Sequence, residues 1–128
     1  MMPLCNAHNI GILPYFPLAG GFLTGKYKRG QDAPPGSRGE SSGYVQKYMT
    51  DEVYDKIEHL NAWAKAREHT MAELAHAWLL AHPQVSSVIS GATKVTHVQQ
   101  NAQAAGWQIT PAELAEVNSI LEGNTESA

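Results

Sequence analysis

Only two segments of this 128-residue chain read as β-strands, and that shortage constrains the fold more than any other feature. The first, Ile10-Gly-Ile-Leu-Pro-Tyr15, is a short apolar run closed by Pro14 and Pro17, as expected for a buried strand that ends at a loop. The second, Val85 to Ser90, carries β-branched residues at Val85, Val88 and Ile89. The rest of the regular pattern is helical. Thr50 caps a run in which Val53, Ile57, Leu60 and Ala64 recur at spacings of three and four, with Trp63 alongside. Thr70 and Glu73 have capping-box spacing ahead of an apolar stripe of Leu74, Ala77, Trp78 and Ala81, and Pro83 stops that helix. A third helix is expected from the turn Ser90-Gly91-Ala92-Thr93 to about Ala105. The last opens with Thr110-Pro111-Ala112-Glu113, a capping box with proline at the first helical position, and runs through Leu114, Val117 and Leu121. Residues 123–128 are expected to be a frayed tail.

The order strand, loop, helices, strand, helix, helix describes an α/β unit whose two strands should run parallel. Parallel strands are normally covered on both faces and paired on both sides, whereas two strands alone leave two open edges and are marginal in isolation. The chain therefore reads as part of a larger sheet, with helices enough for a domain and too few strands. Between the first strand and the first long helix, Lys28 to Tyr48 contains Gly30, Pro34, Pro35, Gly36, Gly39 and Gly43 and has no sustained period. A loop of about 20 residues in a compact domain is usually a lid, a binding loop or disorder.

Composition narrows the function classes. With a formal charge of -3 there is no net basic field to hold a nucleic-acid backbone, so nucleic acid is not expected as a partner. The single cysteine, Cys5, excludes an internal disulfide framework and fits a reducing, cytoplasmic setting. The six histidines (His8, His59, His69, His76, His82 and His97) share no tight ligand spacing, so they read as ordinary surface or helix residues and no metal is expected. No targeting segment is evident, and no stretch approaches the roughly 18 apolar residues of a membrane span.

Two motifs could carry chemistry. Pro17-Leu-Ala-Gly-Gly-Phe-Leu-Thr-Gly-Lys26 follows the first strand directly, and its glycines allow backbone N–H groups to approach an anion. The spacing from Gly20 to Lys26 resembles a phosphate-binding P-loop, but Tyr27 stands where a Ser or Thr must hold magnesium. Ser90-Gly91-Ala92-Thr93-Lys94 ends the second strand and opens a helix, whose first N–H groups and positive dipole end attract phosphate. Taken alone, each motif is also compatible with an ordinary turn. Together they follow two strands of one parallel unit, so both should lie at the same carboxyl edge, where α/β proteins place their ligands. Two phosphate-type sites on neighbouring strands suit a dinucleotide. Trp63, Trp78 and Trp107 lie on or beside helical apolar faces and read as packing residues, and Asp51, Glu52 and Asp55 sit where a helix dipole explains them.

These residues resemble the aldo-keto reductases. Tyr15-Phe-Pro-Leu-Ala-Gly-Gly-Phe-Leu-Thr-Gly-Lys-Tyr27 is similar to the segment after the seventh barrel strand of that family. Val88-Ile-Ser-Gly-Ala-Thr-Lys94, with His97-Val-Gln-Gln-Asn-Ala102, is similar to the segment around the eighth, and the match runs from about Leu4 to Leu121. The resemblance implies a partial (β/α)8 barrel: residues 1–122 would be C-terminal β/α units with an additional C-terminal helix. It implies NADP(H) as the cofactor and aldehydes or ketones as substrates. Tyr15 would stack on the nicotinamide, and Phe16, Pro17, Leu18, Ala19 and Gly20 would wrap the pyrophosphate. Ser90, Gly91, Ala92, Thr93 and Lys94 would hold the adenosine 2′-phosphate, and His97, Gln100 and Asn101 would face the adenine.

The family's Asp, Tyr, Lys and His active-site set lies on earlier strands, and no residue of this chain is assigned a catalytic role. The expectation is a truncated oxidoreductase part, inactive alone, that would meet a carbonyl substrate only in a completed barrel. Two other readings remain open. One is a nucleotide-binding module that self-associates through its open sheet edges; the other is a non-catalytic regulatory subunit of the same ancestry, like the potassium-channel β subunits.

Overall fold

The computed structural model describes residues 1–123, so most of the expected frayed tail lies outside the described residues. Seven α-helical segments run through them. A short α1, Met2–Ala7, precedes the first apolar segment and has no counterpart in the sequence reading. Two single-turn helices, α2 (Arg38–Ser41) and α3 (Gly43–Gln46), interrupt the region expected as an irregular loop. The four longer helices are α4 (Asp51–Lys65), α5 (Met71–Leu80), α6 (Val95–Ala104) and α7 (Pro111–Leu121).

The caps fall where the sequence put them. Thr50 accepts from the Val53 N–H, and Thr70 and Thr110 each form a complete capping box with Glu73 and Glu113. Such boxes satisfy two of the free N–H groups at a helix start and fix its first residue. Between α4 and α5 the chain reverses through Glu68, whose left-handed φ of 62° returns the His69 N–H to the Ala64 carbonyl at 3.0 Å.

The expected regular strands are absent among the described residues. Ile10 to Tyr15 and Val85 to Ser90 do run side by side and parallel, but they meet only at two isolated bridges, Ile12 with Val85 and Tyr15 with Ile89. The hydrogen bonds explain why. Ile12 donates to Gln84 at 2.7 Å and accepts from Ser86 at 3.0 Å, the normal parallel pattern. The next donor on that side would be residue 14, a proline without an N–H. Its carbonyl instead accepts from Ile89 at 2.9 Å, one residue beyond regular register. An extra residue on the second segment and a missing donor on the first split the ladder in two.

Packing is accordingly helical. One core cluster joins Leu60 and Ala64 of α4, Met71 and Leu74 of α5 and Val117 of α7, with Trp63, Trp78 and Trp107 packed on it as expected. Two of those indoles find partners at the rim: Trp63 donates to Glu116 at 2.7 Å and Trp78 to Asn118 at 2.9 Å. Arg67 lies over the Trp63 ring and reaches Glu116 at 2.8 Å, binding α4 to α7. A second cluster, Phe22, Tyr27, Val45 and Tyr54, packs the segment from the first turn to α3 against α4. Parts of the ribbon stay bare: Ile10, Leu13 and Ile89 are each more than half exposed.

The cap at α7 gives a pH prediction. Backbone and side-chain hydrogen bonds from Thr110, aided by Arg67, hold the Glu113 carboxyl below its ordinary value of 4.5. A depressed folded-state pKa stabilises above the unfolded value and is lost as pH falls through the folded one. Glu113→Ala should therefore lower the unfolding free energy by about 1 kcal/mol near neutral pH. In urea titrations followed by circular dichroism, that deficit should shrink as the pH drops below 4.5.

Candidate dinucleotide site

The first apolar segment ends at Tyr15, whose ring is 71% exposed at the end of the ribbon. Phe16 follows with a φ of 56° and its ring centroid 5.1 Å from that of Tyr15. The chain then passes through three more left-handed residues, Ala19 (48°), Gly20 (70°) and Gly21 (99°), within a 3-10 turn that covers Ala19–Thr24. Angle favours glycine at both positions, and at Gly20 the buried Val45 side chain leaves no room for a Cβ either. A Cβ on Gly20 would stand 2.9 Å from Val45 Cγ2, and one on Gly21 would stand 2.7 Å from the Lys26 ammonium. Lys26 is thus folded back against the turn.

The expected loop supplies a second cation. Tyr27 is buried beneath Phe22, with ring centroids 5.6 Å apart, and its hydroxyl accepts from the Gly39 N–H at 2.9 Å. A Cβ on Gly39 would run into the edge of that ring, so glycine is needed there for α2 to close down. With α2 pinned, the Arg38 guanidinium lies 5.4 Å from the Phe16 centroid, a cation–π distance. Burial alone would raise the Tyr27 phenol, but it lies below the ordinary 10.0, with the Gly39 N–H and nearby Lys26 among the groups that lower it. Arg38 and Lys26 therefore flank the turn Phe16 to Gly21. Neither was identified from the sequence as a ligand residue, although the burial signal of Tyr27 next to Lys26 could have drawn notice.

The second apolar segment leaves the ribbon at the same end, because its pairing with the first is parallel. Ser90 is half-buried, while Gly91, Ala92, Thr93 and Lys94 are exposed. No side chain caps α6, in contrast to α4, α5 and α7, so its first N–H groups face outward without a side-chain acceptor. Ser90, Ala92 and Asn101 line one cleft of about 330 Å³, together with His76, Leu80, Val98, Ala102 and Ala105. His97 sits at the edge of α6, its Nδ1 3.5 Å from the Thr93 hydroxyl, and Gln100 is exposed and does not line the cleft.

His76 was read as an ordinary histidine. It is instead 4% exposed, the one buried polar or charged residue among those described. Its Nδ1 lies 2.7 Å from the Ala72 carbonyl and its Nε2 2.5 Å from the Ser90 hydroxyl. The signal was present in its place on α5, directly between Ala75 and Ala77 in an otherwise apolar run.

Tyr44 approaches Phe16, with ring centroids 6.3 Å apart, but its hydroxyl is hydrogen-bonded with that of Tyr48 at 3.1 Å. That hydrogen bond leads the causes that raise its pKa above 10.0, which makes it a weaker proton donor. Among the described residues no group of three or more His, Cys, Asp or Glu side chains converges as a metal site would.

Two parallel segments joined by helices thus send two glycine-bearing turns out of one end of the ribbon. Comparison with known proteins identifies the family. The Aldo/keto reductase family model matches residues 1–122, and the chain belongs to that family. It is 36% identical over 126 residues to a probable voltage-gated potassium channel subunit beta of Arabidopsis thaliana, covering 94% of this chain and 38% of the relative. It is 33% identical over 118 residues to an L-glyceraldehyde 3-phosphate reductase of Escherichia coli, covering 89% and 34%. Among solved structures, a glycerol dehydrogenase of Gluconobacter oxydans superposes with a TM-score of 0.78 at 25% identity, over all of this chain and 39% of that one. The chain thus spans little more than a third of the length of these relatives.

The crowding at Gly39 gives a test of the site's frame. Gly39→Ala should cost about 1–3 kcal/mol in a denaturant titration, because the new methyl must displace the Tyr27 ring. Tryptophan-remote probes such as Tyr27 fluorescence or its NMR resonances should report the shift while α7 stays unchanged.

Proposed function

We propose that this chain is the cofactor-holding portion of an NADP(H)-dependent aldo-keto reductase, acting in the cytoplasm on aldehydes or ketones. One observation carries the reading: parallel bridges at Ile12 and Tyr15 send the Phe16–Gly21 turn and the Ser90–Lys94 turn out of the same end of the ribbon. A single extended dinucleotide can then touch both. Tyr15 offers an exposed ring for the nicotinamide, which supplies the hydride when bound. Phe16 to Gly20 curve around the pyrophosphate, with Lys26 and Arg38 placed to neutralise it. Gly91 to Lys94 and the uncapped start of α6 take the adenosine phosphate end, with Ser90 at their base. Asn101 faces the cleft where the adenosine would lie, with His97 and Gln100 on the same helix.

The reading extends to inactivity of the chain alone, since it assigns no residue here as the proton donor. Hydride delivery to a carbonyl needs an acid for the developing alkoxide, an effect typically worth about 100- to 10,000-fold. Tyr44, which lies farther from the Phe16 ring than Tyr15 does, is held by Tyr48. The isolated chain therefore binds the dinucleotide and turns over no carbonyl, and a non-catalytic role in an assembly is consistent with its likeness to a channel subunit.

Binding measured by NADPH fluorescence should separate the two ends of the site. Arg38→Ala should weaken NADPH and NADH alike, by about tenfold, whereas Lys94→Ala should weaken NADPH by a similar factor and leave NADH nearly unchanged. Equal affinities in the native chain and both variants would remove the basis for the assignment.

A further inference from the structure

We infer that His76 fixes Ser90 as a hydrogen-bond acceptor, so that Ser90 receives a ribose hydroxyl of the adenosine while the phosphate is left to Thr93, Lys94 and the start of α6. The inference rests on the dinucleotide reading above and assigns one contact within it.

The argument follows a single proton. The Ala72 carbonyl can only accept, so the His76 Nδ1 at 2.7 Å from it must carry the ring's hydrogen. In the neutral ring Nε2 then has only a lone pair. Ser90 Oγ, 2.5 Å away, has one proton, and it must point at Nε2. What Ser90 turns toward the cleft is therefore lone pairs. A phosphate oxygen is also an acceptor, so the two repel rather than bond, whereas a hydroxyl donates to Ser90 readily.

The cleft agrees with this polarity. Its apolar lining of leucine, valine and alanine side chains is broken only by Ser87, Ser90, Asn101 and His76, with no lysine or arginine among the described residues that line it. Its volume of about 330 Å³ is in the range of small-ligand sites. An uncharged nucleoside fits such a lining, and a dianionic phosphate does not. Lys94, the nearby cation, is exposed and lies outside the lining. The 3′-hydroxyl is the donor common to NADH and NADPH.

Role and stability separate in a ratio. We would measure the dissociation constants of NADPH and NADH for the native chain, Ser90→Ala, His76→Gln and His76→Leu at about pH 8, where imidazoles are ordinarily neutral. Ser90→Ala should weaken both ligands by roughly threefold to tenfold and leave their ratio within about twofold of the native value. His76→Gln, whose side-chain oxygen can still accept, should keep the native ratio. His76→Leu frees the Ser90 proton to bond phosphate and should shift the ratio toward NADPH by about fivefold. A purely structural role for His76 would weaken both ligands together in His76→Leu without moving the ratio, and that result overturns the inference. So does a selective loss of NADPH in Ser90→Ala, which would mean that Ser90 donates to the phosphate. Should His76→Leu fail to fold, the Ser90→Ala and His76→Gln ratios still decide. A native chain that binds neither ligand overturns the dinucleotide reading itself, and the inference with it.

Discussion

Three hydrogen bonds hold the two apolar segments in parallel: Ile12 to Gln84, Ser86 to Ile12 and Ile89 to Pro14. Every functional statement about this chain depends on them, because parallel pairing is what sends both glycine-bearing turns to one end. They are also few. Pro14 withholds the donor that would have continued the ladder, and Ile89 enters one residue out of register. A two-segment ribbon of this kind has little cohesion of its own, since isolated pairs of strands are marginal in water. What keeps it in place is the helical layer behind it.

That layer does more than cover one face. The capping boxes at Thr70 and Thr110 set where α5 and α7 begin, and the indoles of Trp63, Trp78 and Trp107 lock α4, α5 and α7 together. α5 then reaches forward through His76 to Ser90, tying the end of the ribbon to a packed helix by a 2.5 Å hydrogen bond. On the other strand end, Tyr27 and Gly39 bring α2 down so that Arg38 sits on Phe16. Each turn is therefore positioned by a buried group several residues or more away in sequence. The exposed Ile10, Leu13 and Ile89 are apolar surface that a wider sheet and its helices would cover.

Much of this was legible in the sequence, for reasons that differ by element. Helices with threonine caps and three-and-four spacing announce themselves locally, and α4, α5, α6 and α7 appear within a residue or two of expectation. The parallel direction of the two apolar segments was legible too, since it follows from connection rules. Their failure to form regular strands was not anticipated, although Pro14 stood in plain view, because the cost of a missing donor depends on which neighbour faces it. The segment from Lys28 to Tyr48 misled in the other direction. Its glycines and prolines read as irregular, yet Val45 and Gly39 are buried and two helical turns form, a tertiary outcome that no local pattern encodes. Arg38 and His76 escaped for the same reason: their significance lies in what packs against them.

The account stands on one ligand spanning both turns, and phosphorus-31 NMR of NADP+ titrated with the chain tests that directly. One-to-one binding through both ends predicts that the pyrophosphate and 2′-phosphate resonances shift together and saturate at a single equivalent. A titration in which one of those signals moves and the other keeps its free-solution position at saturation would contradict it.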